Sequence, residues 1–249
     1  MLFRNRELDR AFTFIRGADF DIFCLQEVPE KFLARLKTLP YHLAETTDVE
    51  RLSSPIGHLY LVTLSRHPIL NRGIIHFPEY WPILPLRTRI FIHLMRPLHW
   101  SKIKNRTNLY VDVVAPSGIV RVFNIHTALT RPDLRLKEFE SAMAGRNPAL
   151  PSIVCGDFNT IESPCMAILN WFLGGSFADV FRYGRERTRI EKHFAEYELA
   201  NPLRGSVTHS FAGSQLDHIL VSHSFSIKSA SVLPDRIGSD HHPIFVDVT

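Results

Sequence analysis

Asp157 and Asn159 stand two positions apart in the stretch IVCGDFNTIE, residues 153–162, where an apolar run stops at a glycine and then at oxygen-bearing side chains. The same break recurs along the chain. FDIFCLQEV ends in Gln26-Glu27, GIVRVFNIHTAL carries Asn124 and His126, SQLDHILVS carries Asp217, and RIGSDHHPIFVDV brings in Asp240, His241 and His242. Each break has a plain alternative: Gly, Asp and Asn are turn formers, and most of the 13 histidines are ordinary surface or packing residues. Asp217 inside an apolar run resists that reading, because a buried carboxylate needs a partner. Five strand ends that deliver Asp, Glu, Asn or His are better explained by one shared site. Glu, Asp and Asn oxygens without thiolates suit a hard divalent cation, Mg²⁺ or Mn²⁺, which binds a substrate phosphate. Carboxylates gathered in one place repel unless a cation lies among them. Histidines beside carboxylates add acid/base capacity and positive charge for a developing phosphorane.

Those residues need elements to carry them. Leu8, Ala11, Phe12 and Ile15 recur at helical spacing, so residues 6–16 read as an amphipathic helix. FDIFCL reads as a buried strand, and PEKFLARLKTL as a helix opened by Pro29. Further strands are expected at GHLYLVTLS, RGIIHF, TRIFIHLM, NLYVDVVA and GIVRVFNIH, the last two forming a hairpin around Pro116-Ser117-Gly118. A helix over 132–144 precedes the strand PSIVC, a second covers 163–172, and a polar one covers 185–199. QLDHILVS, FSIKSASVL and HPIFVDV close the chain as strands. Hairpins mixed with helical connections imply mixed sheets in one α/β domain spanning 1–249.

The composition excludes some classes. At 249 residues, 45% hydrophobic and 22% charged, the chain has material for a substantial core. A net charge of +4 tilts only weakly towards anionic partners. Cys24, Cys155 and Cys165 have neither metal-type spacing nor the numbers of a disulfide scaffold. The charged N-terminus MLFRNRELDRAF is no secretory signal, and no apolar run reaches membrane-spanning length. A cytoplasmic monomer with reduced thiols is expected.

In this order, LQEV, FNIHTAL, CGDFN, QLDHILVS and GSDHHPI resemble the motif series of the endonuclease/exonuclease/phosphatase superfamily of DNase I-like metal-dependent phosphoesterases, and HLYLVTLSRHPI resembles its segment between the Glu and His motifs. The resemblance implies a four-layer sandwich: two packed mixed β-sheets flanked by helices, with the site at one end. It also implies roles. Glu27 becomes the main metal ligand, with Asp240 beside the metal or the histidine. Asp157 positions or deprotonates the attacking water, and Asn159 helps hold that water and the phosphate. His241 is the essential histidine, oriented by Asp217. His126 binds phosphate or assists the leaving group, and Asn124 accompanies it, with support of the structure the favoured reading. His242 falls at the motif's variable position and is expected to point away. Arg66, Lys104 and Arg106 could meet phosphates, with solvated surface roles favoured. Trp81, His209 and Phe211 could stack on bases, with capping of the core edge favoured.

The implied reaction is hydrolysis of a phosphodiester by in-line attack of water, with nucleic acid as the favoured substrate. Inositol-phosphate or lipid phosphoesters of the sphingomyelinase kind are the alternative, and an inactive phospho-ligand binder is weakened by the intact motif set. A histidine in FNIHTAL, where apurinic-site endonucleases typically carry tyrosine, moves the chain away from that subgroup. Members of the superfamily usually begin with an apolar strand ending in an active-site Asn. Here only Met1-Leu2-Phe3 precede the first helix, and Asn5 sits at its cap, so a truncated first strand is expected.

Overall fold

The computed structural model describes residues 5–52, 57–79, 81–95, 103–181 and 184–249. The chain opens with α1 (Leu8–Gly17), β1 (Ile22–Pro29), α2 (Glu30–Leu36), β2 (His42–Arg51), β3 (Gly57–Ser65) and β4 (Ile69–His76). It continues through α3 (Leu86–Leu94), β5 (Ile103–Lys104), β6 (Thr107–Ala115), β7 (Gly118–His126), α4 (Pro132–Met143) and β8 (Ser152–Asp157). Then follow α5 (Pro164–Phe172), α6 (Phe177–Phe181), α7 (Arg185–Glu196), β9 (Leu199–Ala200) and the strands β10 (Asp217–Ser222), β11 (Ile227–Val232) and β12 (Ile244–Val248).

Two large sheets result, ordered β1-β3-β2-β5 and β4-β6-β7-β8-β10-β9, with β11-β12 as a separate pair. The larger sheet is mixed, since β7 and β8 run parallel while its other pairings are antiparallel, and the smaller sheet is antiparallel throughout its described pairings. Leu61 and Ala44 of one sheet meet Leu109, Val111, Val120 and Val122 of the other in an apolar inner layer. On the outside, Ala11 and Ile15 of α1 and Phe32, Leu33 and Leu36 of α2 cover the smaller sheet. Phe139 of α4 and Ile190 and Phe194 of α7 cover the larger one. This is the four-layer α/β sandwich.

Two expectations fail locally. TRIFIHLM is not a strand; all of it but the C-cap Met95 lies within α3, and only Thr88 and Ile92, four residues apart, turn inward. Its alternating Ile90, Ile92 and Leu94 mimic a strand, but Pro85 starts a helix and burial of the Ile92 side with Leu84 and Ala128 decides the outcome. Conversely β2, HLAETTDVER, was not foreseen, because the alternation that buries Ala44, Thr46 and Asp48 runs through polar residue types.

β1 stands at the edge of its sheet and β12 pairs only with β11; among the described residues neither outer edge has a strand partner. Between them lies a cavity of about 700 Å³ lined by Cys24, Cys155, Ile219 and Val246, with Asn5 also on its wall and Asp217 and His241 among its lining residues.

Candidate active site

The register of three neighbouring strands builds the site. His126 pairs with Asp157 across the parallel β7–β8 ladder, and Asp157 pairs with Asp217 across the antiparallel β8–β10 ladder. Residues directly opposite in a sheet project to the same face, so the three side chains form one row. Gly156 permits the close packing at that row. Its φ is +146°, and a Cβ there would lie 1.8 Å from the Ile125 carbonyl oxygen.

From the facing sheet, β1 and β2 bring in two more carboxylates. The β1 register shifts between Leu25 and Val28, and Glu27 adopts a φ of +51° within this irregularity. Bulges of this kind re-aim side chains beside functional sites. The Glu27 N–H donates to Asp48 Oδ2 at 3.0 Å, and Asp48 also holds His126 Nδ1 at 2.8 Å. The other imidazole is held in the same manner: Asp217 Oδ2 lies 2.8 Å from His241 Nδ1. Thr208 Oγ1 accepts the backbone N–H groups of Leu216 and Asp217, each at 3.0 Å, and fixes the start of β10.

Asp157 lies between the two Asp–His pairs. Its Oδ1 accepts the Asn159 N–H at 2.8 Å, whereas its buried Oδ2 has no hydrogen-bond partner and stands 4.0 Å from His126 Nε2. Asn159, at a φ of +50°, donates its amide to the Thr127 carbonyl at 2.9 Å.

The electrostatics follow from burial and these pairings. Burial, reinforced by Asp217, pushes the Asp157 carboxyl up to about 6 in spite of the nearby histidines. Burial also raises Glu27, with Asp48 and Asp240 adding to it. Burial alone would strip the proton from His126, but Asp48, then Asp157 and Glu27, outweigh it and lift the imidazole to about 9. His241 is raised above its ordinary value because Asp217 outweighs its burial, and Asp217 is lowered because His241 outweighs the cost of its own.

A divalent cation fits this donor set. Asp157, Asp217 and His241 offer ligand atoms within 4.8 Å of one another, as do His209, Asp240 and His241. Asp157 Oδ2 and Asp240 Oδ1 are both buried without a hydrogen-bond partner. An unpartnered buried carboxylate oxygen is costly, and a cation is the natural remedy.

The structure brings Glu27, His126, Asp157, Asn159, Asp217, Asp240 and His241 to one end of the sheets. Asn124, for which support of the structure is favoured over substrate binding, lies between the two sheets. That residue is fully buried, with its amide donating to the Leu25 and Val62 carbonyls at 3.2 and 3.0 Å. Its oxygen accepts from Gln26 at 2.7 Å, so both ends tie the sheets together. Arg106 is not on the surface either; it is buried in an ion pair with Glu138 and donates to the His126 carbonyl at 2.7 Å. Arg66 is held by Asp19 at the exposed surface. His242 points away from the row, to the Leu233 carbonyl and Ser210. Trp81 packs on the cluster of Leu84 and Ile92, while Phe211 is exposed. Sequence reasoning missed Asp48 and Thr208, and it favoured capping of the core edge over base stacking for His209, whose ring lies 4.7 Å from that of His241. For Asp48 the available signal was the run Ala44-x-Thr46-x-Asp48.

A two-sheet sandwich with Asp–His pairs and carboxylates at one end defines a phosphoesterase-type site. Residues 2–241 match the profile of the Endonuclease/Exonuclease/phosphatase family, and the chain belongs to that family. Its members are hydrolases of phosphoesters, generally dependent on a divalent metal. Among curated proteins none matches the chain in sequence. Solved structures share the fold. An endonuclease/exonuclease/phosphatase from Beutenbergia cavernae aligns with a TM-score of 0.66 at 18% identity over 97% of this chain, which spans 65% of that protein's chain. The mannosyl-6-phosphatase of Bacteroides thetaiotaomicron aligns at 0.62 and 19% identity, covering 98% of this chain and 91% of its own. Human nocturnin's catalytic domain aligns at 0.57 and 18%, covering 98% and 87%.

Proposed function

We propose that this protein hydrolyses phosphodiesters by in-line attack of water. The observation that carries this reading is the buried, unpartnered Asp157 Oδ2 set between two carboxylate-held imidazoles. Glu27 and Asp240 would hold a Mg²⁺ or Mn²⁺ ion, which when bound neutralises phosphate charge and polarises the phosphoryl oxygen. With its carboxyl at about 6, Asp157 is mostly ionised at neutral pH and takes the proton of the attacking water, which Asn159 helps to orient. His126, charged at neutral pH, faces the phosphate oxygens with Nε2, because Nδ1 is spent on Asp48. His241, held by Asp217, stabilises the charge that develops on phosphorus or the leaving oxygen.

Nucleic acid is the substrate class that the sequence favours, and the exposed Phe211 ring is available to stack on a base. A lipid phosphodiester is the second reading, favoured by the exposed apolar residues of α3, α5 and α6, with α3 packed against Ala128 of the segment that follows His126. A panel tests both: single- and double-stranded DNA, RNA, an apurinic duplex, a 5′-tyrosyl oligonucleotide, sphingomyelin and inositol phosphates, each with Mg²⁺, Mn²⁺ or chelator. Metal-dependent turnover of a phosphodiester is expected. Undiminished turnover in excess EDTA, or turnover of phosphomonoesters alone, would overturn the proposal.

A further inference from the structure

One face of the molecule is apolar where solvent should be. In α3 the inward positions are Thr88 and Ile92, which leaves Leu86, Ile90 and Leu94, at i, i+4 and i+8, exposed by 71, 50 and 68%. Such a stripe on a helix normally faces a core. The neighbouring helices extend it. Phe91 of α3 stacks on Phe172 of α5 with centroids 5.2 Å apart, and Trp171 meets both Phe172 and Phe177. Phe177 and Phe181 of α6 pack edge-to-face while remaining 63 and 72% exposed. Ile83 and Ile168 are also more than half exposed. Monomers rarely expose contiguous apolar patches beyond about 300–600 Å², and larger ones mark interaction sites.

The charge that α3 itself carries has one sign. The described residues 81–95 and 103–104 contain Arg87, Arg89 and Lys104 and no Asp or Glu. α5 carries no charge, and Asp179, the acid of α6, is used to accept the Ser176 N–H. Arg87 lies 4.9 Å above the Trp171 ring and donates to the Trp171 and Gly175 carbonyls, which braces α3 against α5.

The face is also fixed to the candidate site. Arg131, five residues after His126, donates to the Ile83 carbonyl. Ala128 packs with Leu84 and Ile92, and α5 begins five residues after Asn159.

We infer that the α3–α5–α6 face docks on an anionic lipid surface and holds the site against phosphate esters presented there. Trp, Phe, Ile and Leu amid Arg and Lys suit the boundary between acyl chains and acidic headgroups. A second copy would instead bring basic charge against basic charge. No described helix is long and apolar enough to cross a membrane, so the contact lies in the plane of the interface. This deepens the second substrate reading of the proposed function, but the docking itself needs no turnover.

The test uses the full chain in chelator, sedimented with vesicles of phosphatidylcholine alone or with added phosphatidylglycerol. Binding to the anionic vesicles should exceed binding to the neutral ones by about tenfold or more and weaken as salt is raised. Ile90→Glu with Phe177→Glu should reduce it by at least about tenfold, and the milder Leu86→Ser with Phe181→Ser should reduce it less, both with unchanged melting curves. Equal binding to both vesicle types, no binding, or binding untouched by either variant overturns the inference. So does light scattering that shows a dimer dissolved by these variants, or DNA binding lost in them. Hydrolysis of soluble phosphodiesters should be unchanged in both variants. Loss of all turnover with vesicle binding intact would instead count against the hydrolase reading.

Discussion

Asp48 is the residue on which the electrostatics of one half of the site depend, and Asp48→Asn isolates its contribution. The substitution keeps the shape, and the amide oxygen can still accept the Glu27 N–H. What disappears is the negative charge 2.8 Å from His126 Nδ1. His126 stands at about 9 against an ordinary 6.5, a difference worth about 3 kcal/mol at ~1.4 kcal/mol per unit. Because the folded value lies above the unfolded one, this stability is fully present below pH 6.5 and is lost as pH rises through about 9. Urea unfolding in chelator at a series of pH values reads it directly. The variant should be less stable by roughly 2–3 kcal/mol near pH 6, and the gap should close towards about pH 10. NMR titration of the His126 ring should show its midpoint falling from about 9 to near or below the ordinary value. A gap that stays constant with pH, or a ring that titrates alike in both proteins, would refute the reasoning.

Two further outcomes are expected. Asp157→Ala and His241→Ala should each lower kcat by about 10²–10⁴ with the fold intact by circular dichroism, whereas His242→Ala, which points to Leu233 and Ser210, should be mild; near-wild-type turnover in either of the first two would relocate the site. A short apolar strand joined ahead of Met1 should lie between β1 and β12, whose outer edges have no strand partner among the described residues, raise the melting temperature, and shield Cys24 and Cys155 from thiol reagents; unchanged labelling rates would show that the cavity does not accept it.

Most of the fold was legible because its strands are apolar runs closed by turn residues. Gly57–Ser65 and Gly118–His126 were read to the residue, and the hairpin falls at Ala115–Gly118. β2 was illegible for a physical reason: its buried face is made of Ala, Thr and Asp, which pack between sheets without raising hydrophobicity. Asp48 was lost with it. α3 was misread because a stripe of apolar residues at every second position satisfies a strand pattern, and only the burial of Thr88 and Ile92 reveals the helix. The gathering of Glu27, His126, Asp157, Asp217 and His241 was legible because each closes or opens an apolar run. Asn124 shared that signal and serves a different end, since a buried amide between two sheets looks the same in sequence as one that awaits a ligand.

The row His126–Asp157–Asp217 has a consequence for how molecules of this protein differ from one another. The three residues come from strands whose alignment can shift by one position only by turning every side chain to the opposite face. A slipped molecule would therefore be silent rather than slow. A preparation refolded badly would contain fewer working molecules, each at full speed, so active-site counting would fall while turnover per working site held constant. Measured in that way, hydrolysis becomes a gauge of strand alignment at the centre of the larger sheet, sensitive to errors that bulk secondary-structure signals would average away.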